Sequence, residues 1–93
     1  MRFHKEMGIT RKEFLRTLAA ALPATRYSVE EDRISIREAE RRITIKLHQQ
    51  AQRRIGSLQL PSMLVEFSFS GYAQAEAENF MRHIDIHFRR GGG

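Results

Sequence analysis

His83 and His87 are four residues apart in a segment with helical periodicity, so their imidazoles are neighbours on one helix face, and Glu76 lies on the same stripe. Two imidazoles and a carboxylate form a donor set of the zinc type. This set lacks the acidic base that a His-Glu-x-x-His motif places between its histidines, and Glu76 stands about two helical turns away. The sequence therefore predicts a polar helix edge beside Phe80, Ile84 and Phe88 rather than a metal site.

Other chemistries have less to draw on. Cysteine is absent, which removes disulfides, thiolate nucleophiles and cysteine-ligated metals. The serines fall on strand faces and in turns, and no Gly-x-Ser-x-Gly elbow is present. Carboxylates cluster as Glu30-Glu31-Asp32 and as Glu38 with Glu40, in turn segments where solvent keeps them ionised. No glycine-rich loop joins a strand to a helix, so a nucleotide cradle is not supported. The chain reads as non-enzymatic, with no catalytic residue and no cofactor.

The basic residues are better organised. Net charge is +5 and the pI about 10.4, which raises the prior for an anionic partner. Arg26, Arg33, Arg37, Arg42 and Lys46 all fall in the outward phase of three alternating segments, with Arg53 or Arg54 placed to join them and only Glu30 and Glu66 to offset them. Long basic side chains do cover the wet side of many sheets. Like charges on facing strands repel, however, and a face that concentrates them suits a negatively charged partner. Tyr27, Phe67 and Phe69 share the buried phase, so the outward face offers no aromatic platform for bases.

The elements that must carry these residues are legible from periodicity. Thr10-Arg11-Lys12-Glu13 fits a capping box, and Ile9 with Phe14 fits a hydrophobic staple. Phe14, Leu15, Leu18 and Leu22 then form an apolar stripe that Pro23 ends, predicting a helix over 11–22. Period-two alternation follows from Thr25 to Ser70 in five segments, with turns at Glu31-Asp32, at 38–41, at 49–52 and at Pro61-Ser62. The fourth segment, 53–60, breaks phase at Gly56, where a bulge would restore register. Ala73, Ala77, Phe80, Met81, Ile84 and Phe88 share one helical stripe, with Ile86 alone on the far side, predicting a helix over 73–90.

One greasy stripe on each helix and one greasy sheet face predict an α+β two-layer sandwich: an antiparallel meander of about five strands with an N-terminal and a C-terminal helix on one face. Residues 1–8 have no apparent period and read as a flexible tail, with Met7 as good a start as Met1. Residues 9–90 form a single domain, and 91–93 a glycine tail. The longest uninterrupted apolar run is the five residues from Leu18 to Leu22, too short for a membrane span or a signal peptide, so a cytoplasmic protein without a membrane partner is expected.

The helix–strands–helix order resembles that of double-stranded RNA-binding domains. Those domains use a lysine-rich start to the last helix, whereas this one begins Ala73-Gln74-Ala75-Glu76, so the resemblance stops at element order. The end Arg89-Arg90-Gly91-Gly92-Gly93 is similar to the arginine-then-diglycine ends of ubiquitin-like and sulfur-carrier proteins, which are activated at the terminal carboxylate. Those families begin with a hairpin, and a helix cap is the simpler role for Gly91. Three functions follow in order: an interaction or accessory module using the basic face toward a protein partner or a second copy, a binder of nucleic-acid backbone through that face, and a carrier using its C-terminal glycines.

Overall fold

The computed structural model describes residues 1–49 and 53–90, and, within these, the side chains of all but Arg53, Ile55 and Arg90. Its elements are β1 (Arg2–Met7), α1 (Arg11–Ala21), a short 3-10 turn (Ala24–Arg26), β2 (Tyr27–Glu30), β3 (Arg33–Glu38), β4 (Arg41–Gln49), β5 (Arg53–Ile55), β6 (Leu58–Leu60), β7 (Met63–Ser70) and α2 (Gln74–Arg90). Five strands form one antiparallel sheet in the order β1-β7-β4-β3-β2, and β5 pairs with β6 in a separate hairpin. This is the α+β sandwich the periodicity predicts.

The first helix starts where its cap places it. The Thr10 hydroxyl oxygen accepts from the Glu13 amide at 3.2 Å, and the same hydroxyl donates to the Glu13 carboxylate. Ile9 and Phe14, the staple pair, are both buried. The Leu22 amide makes the last helical bond, to the Leu18 carbonyl at 2.9 Å, before Pro23 turns the chain away. At the head of α2 the Ala73 amide donates to Glu76 Oε1 at 2.9 Å, the carboxylate half of a capping box.

Between the helices and the sheet lies a single core. Ile34 and Ile36 from β3, Ile43, Ile45 and Leu47 from β4, and Met63, Val65, Phe67 and Phe69 from β7 face Phe14 and Leu18 of α1 and Ala77, Met81, Ile84 and Phe88 of α2. The Phe14 and Phe88 rings, 4.8 Å apart between centroids, join the two helices. Ile86 is exposed on the far side of α2, as its spacing requires. No helix among the described residues is long and apolar enough to cross a membrane.

Two segments depart from the sequence reading. Residues 1–8 are not a flexible tail: Arg2–Met7 is an edge strand in register with β7, Arg2 opposite Ser68 and Met7 opposite Met63. Its inward positions are Phe3, Lys5 and Met7, and the lysine hides the alternation. The segment 53–60 is not one bulged strand. Gly56 takes φ +61° at the first position of a two-residue loop, so the phase break is a hairpin turn and the chain doubles back on itself. The fifth place in the sheet belongs to β1.

Candidate functional site

The helices cover one side of the sheet, and the other side is open. Cross-strand partners share a face, so the register lays out the open side in rows. One row crosses all five strands as Glu30, Arg33, Lys46, Glu66 and His4. The next is Ser28, Ser35, Thr44, Ser68 and Arg2, four hydroxyls ending in a cation. The third is Arg37, Arg42 and Ser70.

Four of the five predicted cations therefore meet on this face. Arg33 stands opposite Lys46, and Arg37 opposite Arg42. The two pairs are about 13 Å apart along the strands and about 5 Å across, with Ser35 and Thr44 between them. None of the four makes an ion pair among the described residues. Like charges placed directly opposite one another destabilise a sheet. The carboxylates of this face are Glu30 opposite Arg33, Glu66 opposite Lys46 with its Oε1 3.7 Å from His4 Nε2, and Glu6 on β1; the row of Arg37 and Arg42 has none.

The fifth predicted cation, Arg26, is not there. Extending strand alternation one residue before Tyr27 places it outward, but Ala24–Arg26 is a 3-10 turn that carries Arg26 to the helix side, where it pairs with Glu38. Arg53 and Arg54 are also outside the sheet, on β5.

Arg26 instead begins a chain of charges that the sequence reading missed. Glu38 accepts from Arg26 and, at 3.0 Å, from Arg41, while Arg41 Nη1 lies 2.6 Å from Glu76 Oε2. The Arg41 guanidinium also sits 4.6 Å above the Tyr72 ring. Desolvation pulls the Arg41 pKa down, but Glu38 and Glu76, with Tyr72, outweigh it and hold it above the ordinary value. Desolvation raises the Tyr72 phenol against the opposing pull of Arg41. These groups line a cleft of about 440 Å³ with Leu22, Ile36, Ile43 and Phe80 among its walls. Two arginines matched by two glutamates leave no net charge for an ionic ligand, and the chain ties the β3–β4 hairpin to α2. Inward positions 38 and 41, both charged at the end of apolar strands, are the signal that marks it.

Glu76 is thus committed to Arg41 and the Ala73 amide, away from the histidines. The His83 and His87 rings are 4.4 Å apart between centroids. His83 Nε2 donates to the Ala21 carbonyl at 3.0 Å, and His87 Nδ1 donates to the His83 carbonyl at 3.0 Å. Each histidine thus has one nitrogen engaged with backbone, and among the described residues no three metal-binding side chains gather. The glycines of the carrier reading, 91–93, lie outside the described residues.

The comparisons with family models, curated proteins and solved structures return no match, so the open basic face rests on its own geometry.

Proposed function

We propose that the chain is a non-enzymatic interaction module that binds the phosphate backbone of nucleic acid through the open face of its sheet. One observation carries this reading: two like-charged pairs, Arg33 with Lys46 and Arg37 with Arg42, stand around a band of hydroxyls with no ion pair formed to any of the four among the described residues, and no carboxylate shares the row of the second pair. Phosphate oxygens accept from arginine, lysine, serine and threonine alike, and such contacts position a nucleic acid without reading its sequence. A protein partner fits less well. Protein interfaces draw their energy from aromatic and apolar anchors, and in the three central strands this face offers only Leu64. A cytoplasmic setting, where nucleic acid is accessible, belongs to the same reading.

The test is binding of the full chain to single- and double-stranded oligonucleotides across a salt series. Affinity should fall steeply with salt, because each phosphate neutralised releases condensed counterions. Arg33→Glu, Arg37→Glu and Lys46→Glu together should weaken binding to all sequences alike, with the fold intact by circular dichroism. Absence of binding at low salt overturns the reading, and a change in co-purifying proteins or oligomeric state in the same variant assigns the face to a protein partner instead.

A further inference from the structure

The β5–β6 hairpin stands off the body of the protein. Among the described residues it pairs with none of the five strands of the sheet, and every residue from Gly56 to Leu60 is exposed, as is Arg54. Two paired strands of three residues each are marginal in water on their own. This arm also lies in the middle of a stretch, Arg41 to Val65, that contains no carboxylate at all. Arg41, Arg42, Lys46, Arg53 and Arg54 all fall within it.

The arm has two different sides. Arg54 is directly opposite Gln59, so an arginine and a glutamine share one side. Leu58 and Leu60, two apart on β6, share the other and are 63% and 41% exposed. Its tip is slender, since Gly56 has open space around it and is followed by a serine. Arginine and glutamine are side chains that read the minor groove, and Leu58, on the opposite side but first after the Gly56-Ser57 turn, stands at the tip as an apolar wedge that can unstack adjacent base pairs.

We infer that this arm is a second nucleic-acid contact that enters the minor groove of a duplex, with Arg54 and Gln59 against the groove and Leu58 as the wedge. The inference rests on the polyanion reading of the sheet face and adds to it a preference for double strands and a bend. Charge decides the occupant. Self-association through the arm would bring together arginines with no carboxylate on the arm to meet them, and two leucines per copy fall far short of the ~800 Å² per partner of a stable interface.

The experiment compares the full chain with Arg54→Ala, with Leu58→Ala and with the triple reversal of the sheet face. Anisotropy of a labelled short duplex and of its single strand is followed across a salt series, and end-to-end energy transfer reports duplex bending. Arg54→Ala should reduce the slope of log affinity against log salt by about one. Leu58→Ala should leave that slope unchanged, lose the bend and lower duplex affinity without changing single-strand affinity. If both arm variants bind and bend as the parent does while the triple reversal loses binding, the arm inference falls and the sheet-face reading stands. If the arm variants change oligomeric state instead, the arm is a self-association element and the inference is wrong. If the parent binds single strand but no duplex at low salt, the arm inference falls and the sheet-face reading stands; if it binds neither, both fall.

Discussion

Lys5 Nζ lies 2.6 Å from Asp85 Oδ1, so an ion pair ties the first strand of the sheet to the last helix. Both side chains are about one-third exposed, which limits the gain. A double-mutant cycle with Lys5→Ala and Asp85→Ala should give a coupling of about 0.5–1 kcal/mol by denaturant unfolding. Phe3→Ala should cost more than either single change, because Phe3 is partly buried and meets the Phe69 ring edge-on at 5.6 Å. A mobile first strand would leave all three substitutions without effect.

Ala39 takes φ +56° in the two-residue turn between β3 and β4, a backbone region that side-chain-bearing residues adopt at a cost. Ala39→Gly should therefore raise stability by about 0.5–1 kcal/mol, the relief of that strain outweighing the freedom glycine gains when unfolded. Denaturant midpoints measure it, and an unchanged or lowered midpoint would refute the strained turn.

Both ends of α1 are held by side chains. Thr10→Ala removes the N-terminal cap and should cost about 1 kcal/mol. His83→Ala removes the donor to the Ala21 carbonyl at the other end and should cost about 0.5–1.5 kcal/mol. In both variants the amides of α1 should exchange faster than those of β4 and β7, which share neither contact.

Desolvation holds the Tyr72 phenol above its ordinary value of 10.0. The unfolded chain thus gives up this proton first as pH rises, and folding loses stability from about pH 10 upward through the raised folded value. Tyr72→Phe has no such proton, so its stability should decline less steeply than the parent's between about pH 9 and pH 11. Equal slopes would place the phenol in water.

Much of this architecture can be read from alternation and caps. Ile34, Ile36, Ile43, Ile45, Phe67 and Phe69 mark three strands, and Thr10 with Pro23 brackets the first helix. The failures have local physical causes. Lys5 occupies an inward position because a carboxylate waits for it on α2, a contact far away in sequence. Gly56 reads equally as a bulge or as a turn, and only the pairing of Ile55 with Leu58 distinguishes them. At the candidate site, Arg33, Arg37, Arg42 and Lys46 were legible because each lies inside a regular strand. Arg26 was not, since a 3-10 turn obeys no period of two. That Arg37 faces Arg42, or Arg33 faces Lys46, depends on register, which the two-residue turn at Ala39-Glu40 sets.

The pairing of β1 with β7 has a consequence for how the protein comes into being. Arg2 must meet Ser68, so among the described strands the one earliest in sequence is completed by the one latest in sequence. The β2–β3 and β3–β4 hairpins close through two-residue turns and can form while the chain is still emerging. The first strand cannot, and its pairing carries the loop-closure entropy of most of the chain. Its contacts should form late, so substitutions in it should speed unfolding more than they slow folding. Until β7 leaves the ribosome, Phe3 and Met7 have no sheet to join, and a nascent chain stalled before Met63 displays them to chaperones.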